Sequence, residues 1–166
     1  MLLLSKIHGL KFVDIPQIPR QIQFMMLKPK VLFVCTGNSC RSQIAEGILR
    51  EKAGDHYEVF SAGSHPSHVH PIAIKVMEEW GIDISHHTSD PIDHFLDKGI
   101  DVLITVCDHA DQVCPQFPGD VDRHHWSIKD PFAGWDYNED QLDSFRETRQ
   151  TVMERIDAFL ESKQNE

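Results

Sequence analysis

From Val31 to the end of the chain, strand and helix signals alternate, and this alternation predicts an open α/β sheet joined by right-handed crossovers. Three observations carry the prediction. Val31-Leu32-Phe33-Val34 is an unbroken β-branched and aromatic run, the pattern of a strand buried on both faces of a parallel sheet. The stretches between the apolar runs carry apolar residues at helical spacing, bounded by helix start and stop residues. The length of 166 residues suits one domain with a core of its own.

The elements follow in order. After the first strand comes a Gly-containing loop, then Ser42 as an N-cap and a helix burying Ile44, Ala45, Ile48 and Leu49. Tyr57 to Ser61 reads as the second strand. Pro71 in a first helical turn, apolar Ala73, Val76, Met77 and Trp80, and Gly81 as terminator describe the second helix. A short helix is expected over Pro91 to Lys98, the third strand over Asp101 to Val106, and a short fourth strand over Arg123 to Trp126. The final helix starts near Asn138 with Glu139 and Asp140 in its first turn, where acidic side chains favour the helix dipole. It buries Leu142, Phe145, Val152, Ile156 and Phe159. Residues 1–28, with Pro16, Pro19, Gln17, Gln21 and Gln23, show no sustained period and read as an N-terminal extension, flexible or upstream of a true start at Met25 or Met26. Residues 29–166 form the domain.

Composition excludes several classes of function. Sixteen Lys and Arg against 26 Asp and Glu give a net charge of −10, which repels a polyanion and argues against nucleic-acid binding. No apolar run reaches the roughly 20 residues that span a bilayer, and Lys6, His8, Lys11 and Asp14 break up the apolar start, so neither a membrane span nor a secretory signal is expected and the location is read as cytoplasmic. Four cysteines, Cys35, Cys40, Cys107 and Cys114, are too few for a secreted disulfide scaffold. Their C-x4-C and C-x6-C spacings fit no common zinc pattern and point to thiol chemistry.

The densest chemistry lies between the first strand and the first helix, in Cys35-Thr36-Gly37-Asn38-Ser39-Cys40-Arg41-Ser42. A turn of this length, with Gly37 permitting unusual dihedrals, aims successive backbone N–H groups into one concavity, and the helix N-terminus adds positive potential. Such a nest binds a tetrahedral oxyanion. Arg41 offers a planar fork for two further oxygens. Cys35, facing these dipoles and the guanidinium, is expected to have a lowered pKa and to attack the central atom of the bound anion. No G-x4-G-K-[ST] pattern occurs, so this is not an ATP-binding loop.

C-T-G-N-S-C-R-S-Q from Cys35, A-E-G at 45–47, S-A-G at 61–63, G-I-D-I-S at 81–85 and D-P at 130–131 resemble the low-molecular-weight protein tyrosine phosphatase superfamily, and more closely its thioredoxin-coupled arsenate reductase branch. The resemblance runs from about Val31 to the final helix. It implies a flavodoxin-like three-layer fold with a four-stranded parallel sheet, order 2-1-3-4, flanked by helices. It also implies that Cys35 attacks arsenate, that Cys107 attacks Cys35 and expels arsenite, and that Cys114 exchanges with Cys107 to leave a Cys107–Cys114 disulfide for thioredoxin. Phosphate and sulfate would compete as oxyanions. By the same resemblance Asp130 is the general acid that protonates the departing oxygen.

Cys35 and Arg41 serve a phosphatase as well as a reductase, whereas the Cys107/Cys114 pair is needed only by a reductase. If the first and third strands are parallel neighbours, their carboxyl ends share an edge that brings Cys107 near Cys35. Three cysteines do not easily meet disulfide geometry pairwise in one rigid arrangement, so the segment from Cys107 to about Gly119 is expected to move. The alternative reading is a phosphotyrosine phosphatase using Cys35, Arg41 and Asp130, favoured by Phe132, an aromatic where such phosphatases carry one. A third is a non-catalytic redox or anion sensor. Cys40 is read as an accessory thiol, and Asn38 and Ser42 as loop-shaping residues that bond to the backbone. Asn38, Glu46, Ser61, Thr88 and Asp90 match positions that bind potassium in some family members, and oxygen donors suit that cation. His65, His68 and His70, with Pro66 and Pro71 in the same stretch, read as a mobile loop, not a metal site. Trp135, after Gly134, is placed to rim the site.

Overall fold

The computed structural model describes residues 28–165, together with Lys6, Ile7, Leu10, Lys11 and Pro19 from the preceding segment. In the expected extension, Lys6 stands opposite Lys11 and Ile7 opposite Leu10 in a two-residue antiparallel ladder; apart from these, Pro19 and Lys28, residues 1–28 lie outside the described residues.

The main sheet consists of β1 (Lys30–Cys35), β2 (Glu58–Gly63), β3 (Val102–Thr105) and β4 (Asp122–His125). All neighbours are parallel, in the order β2-β1-β3-β4, as expected. The helices are α1 (Arg41–Ala53), α2 (Pro71–Glu78), α3 (Asp108–Val113) and α4 (Leu142–Gln164). β1 is central, and Val31 to Val34 are fully buried, which is why this strand carries no polar alternation. β4 is the polar edge strand, Asp-Arg-His-His, and such charge blunts edge pairing. Among the described residues no helix is long and apolar enough to cross a membrane.

Three local expectations are corrected. Pro91 to Lys98 holds only a 3₁₀ turn, Ile92–Phe95, and not an α-helix. Asn138 caps a 3₁₀ turn, Glu139–Gln141, through its side chain to Asp140 N–H, and α4 follows from Leu142. The first helix begins at Arg41 with Cys40 in the N-cap position, so Ser42 is already inside the helix and its hydroxyl turns toward the loop. α2 ends at Glu78, and Gly81 with φ 74° makes the turn beyond it.

The register fixes the site. Val34 on β1 pairs with Thr105 on β3, and Val106 N–H donates to Val34 O at 2.8 Å. Cys35 and Cys107 therefore leave the same carboxyl edge of adjacent strands, which are about 4.8 Å apart in a sheet. This is the edge at which open α/β sheets bind ligands.

Candidate active site

Cys35 ends β1 and is buried, 3% exposed. Its sulfur receives the Asn38 N–H at 3.1 Å and lies 2.9 Å from Ser42 Oγ. α1 opens with no side-chain cap, so the amides of its first turn are left to the loop, the arrangement that favours an anion at a helix N-terminus.

Asn38, not Gly37, takes the unusual conformation. It has φ 46°, in the left-handed region that Asn tolerates better than most side chains. Its amide donates to Ser42 Oγ at 2.8 Å and Ser61 Oγ at 2.9 Å, and its Oδ1 accepts from Asp90 N–H at 2.8 Å. Asn38 and Ser42 thus shape the loop, but Ser42 acts on the side chains of Asn38 and Cys35, not on backbone. Gln43 adds a brace that the sequence reading missed: its amide donates to Asn38 O at 3.0 Å and Thr88 O at 2.8 Å. Gly63 is a second omission. A Cβ there would stand 2.6 Å from Thr36 O and 2.9 Å from Asn38 N, so the loop closes against β2 only because residue 63 has no side chain.

Burial pushes the Cys35 thiol up from its ordinary value, against the opposing pull of the Ser42 hydrogen bond and the Arg41 charge. The expected lowering is therefore not met in this arrangement. Arg41 donates to Ile128 O at 3.0 Å and to Asp130 Oδ2 at 2.9 Å, so much of its charge is directed at a carboxylate. Arg41 and Asp130 thus form an ion pair, and Asp130 Oδ1 accepts from Phe132 N–H at 3.1 Å. Cys40 is buried, and desolvation pushes its thiol up to about 12.

Cys107 is buried beside the loop. Its sulfur lies 3.4 Å from Thr36 Oγ1 and accepts from Ala110 N–H at 3.4 Å, as N-cap of α3. Cys114 is the C-cap at the other end of that helix and is half-buried, its thiol raised by burial and drawn back by Arg123. All four cysteines are free thiols.

The five residues read as cation ligands form one cluster. Ser61 Oγ donates to Glu46 Oε2 at 2.5 Å, and Thr88 Oγ1 donates to Asp90 Oδ2 at 2.6 Å. Arg50 already pairs with Glu46 and donates to Val59 O at 2.7 Å. Burial raises the Glu46 carboxyl. The oxygen-only donor set, with two carboxyl groups and one pairing cation, fits a hard monovalent ion. Arg50 Nη1 also donates to His87 Nε2 at 2.9 Å, which leaves Nδ1–H to donate to Gln43 Oε1 at 3.0 Å. Partial burial and Arg50 hold His87 down to about 4, so this ring is neutral at pH 7.

His70 is no part of a mobile loop. It is fully buried, caps α2 by accepting from Ile72 N–H at 3.1 Å through Nδ1, and donates from Nε2 to Gly134 O at 2.8 Å. It thereby ties α2 to the segment after Asp130. Trp135 stacks on His68 at 3.9 Å between ring centroids, and Phe132 meets Trp135 edge-on at 5.1 Å, both rings about two-fifths exposed.

The family model for low-molecular-weight phosphotyrosine protein phosphatase matches residues 30–166. An arsenate reductase of Halalkalibacterium halodurans is 44% identical over 137 residues, covering 82% of this chain and 99% of the relative. The chain belongs to this phosphatase family, in its arsenate reductase branch. Family members with solved structures share the fold. An arsenate reductase in the phosphate-binding state superposes with TM-score 0.65 at 38% identity, over 81% of this chain and 98% of that one. A thioredoxin-dependent arsenate reductase from Corynebacterium glutamicum gives TM-score 0.65 at 32% identity, over 82% and 62%.

Proposed function

We propose that the protein reduces arsenate to arsenite through a three-cysteine relay recycled by thioredoxin. The observation that carries this reading is the placement of Cys107 against Thr36 of the oxyanion loop, with Cys114 at the far end of the same short helix. A phosphatase has no use for that pair.

The loop amides and Arg41 hold the anion's oxygens, Arg41 shifting part of its fork from Asp130 to the substrate. An incoming proton acceptor is at hand for the Cys35 thiol in the anion itself, and the Asn38 N–H and Ser42 Oγ–H stabilise the thiolate as it forms. Asp130, let go by Arg41 as the anion takes over the fork, takes up a proton from solvent; Cys35 Sγ then bonds to arsenic while an arsenic–oxygen bond breaks, and the departing oxygen leaves as water on receiving that proton. Cys107 Sγ next attacks Cys35 Sγ. A sulfur–sulfur bond forms, the sulfur–arsenic bond breaks with its electron pair left on arsenic, and As(V) departs as As(III) in arsenite. Cys114 attacks Cys107, freeing the Cys35 thiol, and an external dithiol reduces the Cys107–Cys114 bridge. A protein dithiol of the thioredoxin type suits such a product, since a small thiol couple would not require Cys114.

Asn38 Oδ1, Glu46, Ser61 Oγ and Asp90, with Thr88 beside Asp90, would hold a potassium ion, which would supply fixed positive charge behind the loop. Replacing choline by potassium at constant ionic strength is then expected to raise the melting temperature, and an unchanged melting temperature would remove the ion from this reading.

Phe132 and Trp135 favour a second activity, hydrolysis of an aryl phosphate whose ring would lie against them. Arsenite formation with thioredoxin, thioredoxin reductase and NADPH tests the first reading. Turnover only with glutathione and glutaredoxin would refute the thioredoxin coupling, and p-nitrophenyl phosphate hydrolysis without arsenite formation would replace the reductase by the phosphatase.

A further inference from the structure

α3 is tied to the sheet by a cluster that the relay chemistry does not use. His125, the last residue of β4, places Nε2 3.0 Å from Asp108 Oδ1 and Nδ1 2.8 Å from Thr105 Oγ1. The single hydroxyl proton of Thr105 goes to Asp111 Oδ1 at 2.8 Å, its 3.4 Å approach to His124 O being the weaker contact. Thr105 Oγ1 must then accept from the ring, and the Asp108 carboxylate accepts from the other nitrogen. Both nitrogens donate, which is the imidazolium form. One cation on β4 therefore grips two carboxylates spaced along α3, Asp108 directly and Asp111 through Thr105, with Nδ1 itself 3.8 Å from Asp111 Oδ1. The remaining groups acting on Asp108 are Ser127, through a hydrogen bond, and the Arg41 charge. The partners are partly open to water, His125 35% and Asp111 43% exposed in their side chains, so the grip is reversible.

Cys107 and Cys114 stand at the two ends of the helix so gripped. We propose that His125 is a positioning residue for the relay: its imidazolium clasps α3 in the folded form, and the clasp must release before Cys114 reaches Cys107. This rests on the relay described above. Without the ring, both of these contacts are lost. α3 then opens more readily.

The test uses the full chain and the variants His125→Asn and His125→Gln, both changes at an exposed edge-strand position. Amide hydrogen exchange of Asp111 to Val113, corrected for intrinsic exchange, is measured on reduced protein at pH 6. Two exposed ion-pair contacts correspond to about fivefold in protection. H125N, which loses both contacts, is expected to show about fivefold less protection than the wild type, and H125Q, whose amide still donates to Asp108, to fall between. After one equivalent of arsenate, conversion of the Cys35–Cys107 bridge to Cys107–Cys114, followed by acid quench and mass mapping, is expected to run about fivefold faster in H125N at pH 6. Equal protection in wild type and H125N at pH 6 overturns the clasp even where the bridge forms normally. A wild type that never forms Cys107–Cys114 overturns the relay, and with it this role, a failure visible in the mass map and separate from the exchange result.

Discussion

Gly63→Ala places one methyl group against the oxyanion loop. The new Cβ would stand 2.6 Å from Thr36 O and 2.9 Å from both Asn38 N and Cβ, so backbone must shift by about 0.8 Å to restore ordinary contact near 3.4 Å. Neither neighbour is free to yield alone. Thr36 O accepts from His65 N–H at 2.8 Å, and Asn38 is held by Ser42, Ser61 and Asp90. The displacement is passed to the Asn38 N–H that points at Cys35, and a misplacement of order 1 Å costs about 100-fold in rate. Overpacking of this kind costs about 1–3 kcal/mol, or roughly 2–12 °C in melting temperature for a chain of this size. Gly99→Ala is the control: φ 69° makes it strained, but nothing lies within 4 Å of its Cβ. Single-turnover thiol loss with arsenate, read beside differential scanning fluorimetry, is expected to show both variants destabilised and only G63A slowed about 100-fold. Wild-type turnover in G63A would refute the loop geometry as the source of reactivity.

Closing the Cys107–Cys114 disulfide should unwind α3: seven residues at 1.5 Å rise separate the Cα atoms by about 10.5 Å, against a limit of about 7 Å for a disulfide, so the Asp111 N–H to Cys107 O bond must break. Hydrogen exchange at Asp111 to Val113 is expected to speed up on oxidation, and equal rates in the two redox forms would count against the bridge. Ser42→Ala removes a hydrogen bond that favours the Cys35 thiolate, so iodoacetamide alkylation of Cys35 at neutral pH is expected to slow about tenfold, with its rise displaced to higher pH; an unmoved profile would assign Ser42 no electrostatic part. His87, held neutral down to about 4 in the folded protein, takes up a proton near pH 6.5 once unfolded. The unfolded state thus binds more protons between these values, and stability should fall as pH drops through that window. His87→Gln should flatten this slope in melting temperature against pH, and an identical slope would place the acid sensitivity elsewhere.

Much of the fold was legible because its signals are local. The Val31–Val34 run is buried on both faces, Pro71 and Gly81 bracket α2, and acidic residues precede α4. The approach of Cys107 to Cys35 was legible from strand ends that share one edge, whereas the strand order and Asp130 came from the family resemblance. What escaped depends on long-range contacts. Gly63 is an unremarkable strand-end glycine until β2 is laid against the loop, and Ser42 looks like a cap until the helix start moves to Arg41. His70 sits among loop histidines in sequence, yet its partner Gly134 is 64 residues away. The Cys35 thiol was misjudged because helix and guanidinium effects can be read from neighbouring residues, whereas desolvation is set by the whole fold and Arg41 turns toward Asp130.

The relay itself is tested most directly by a thiol count on fully reduced protein after one equivalent of arsenate, with peptide mapping of the disulfide formed. Loss of two thiols per chain, one arsenite released and a Cys107–Cys114 bridge with Cys35 again free are the predicted results. No thiol loss, or a bridge that includes Cys40 in place of Cys107, would contradict the account.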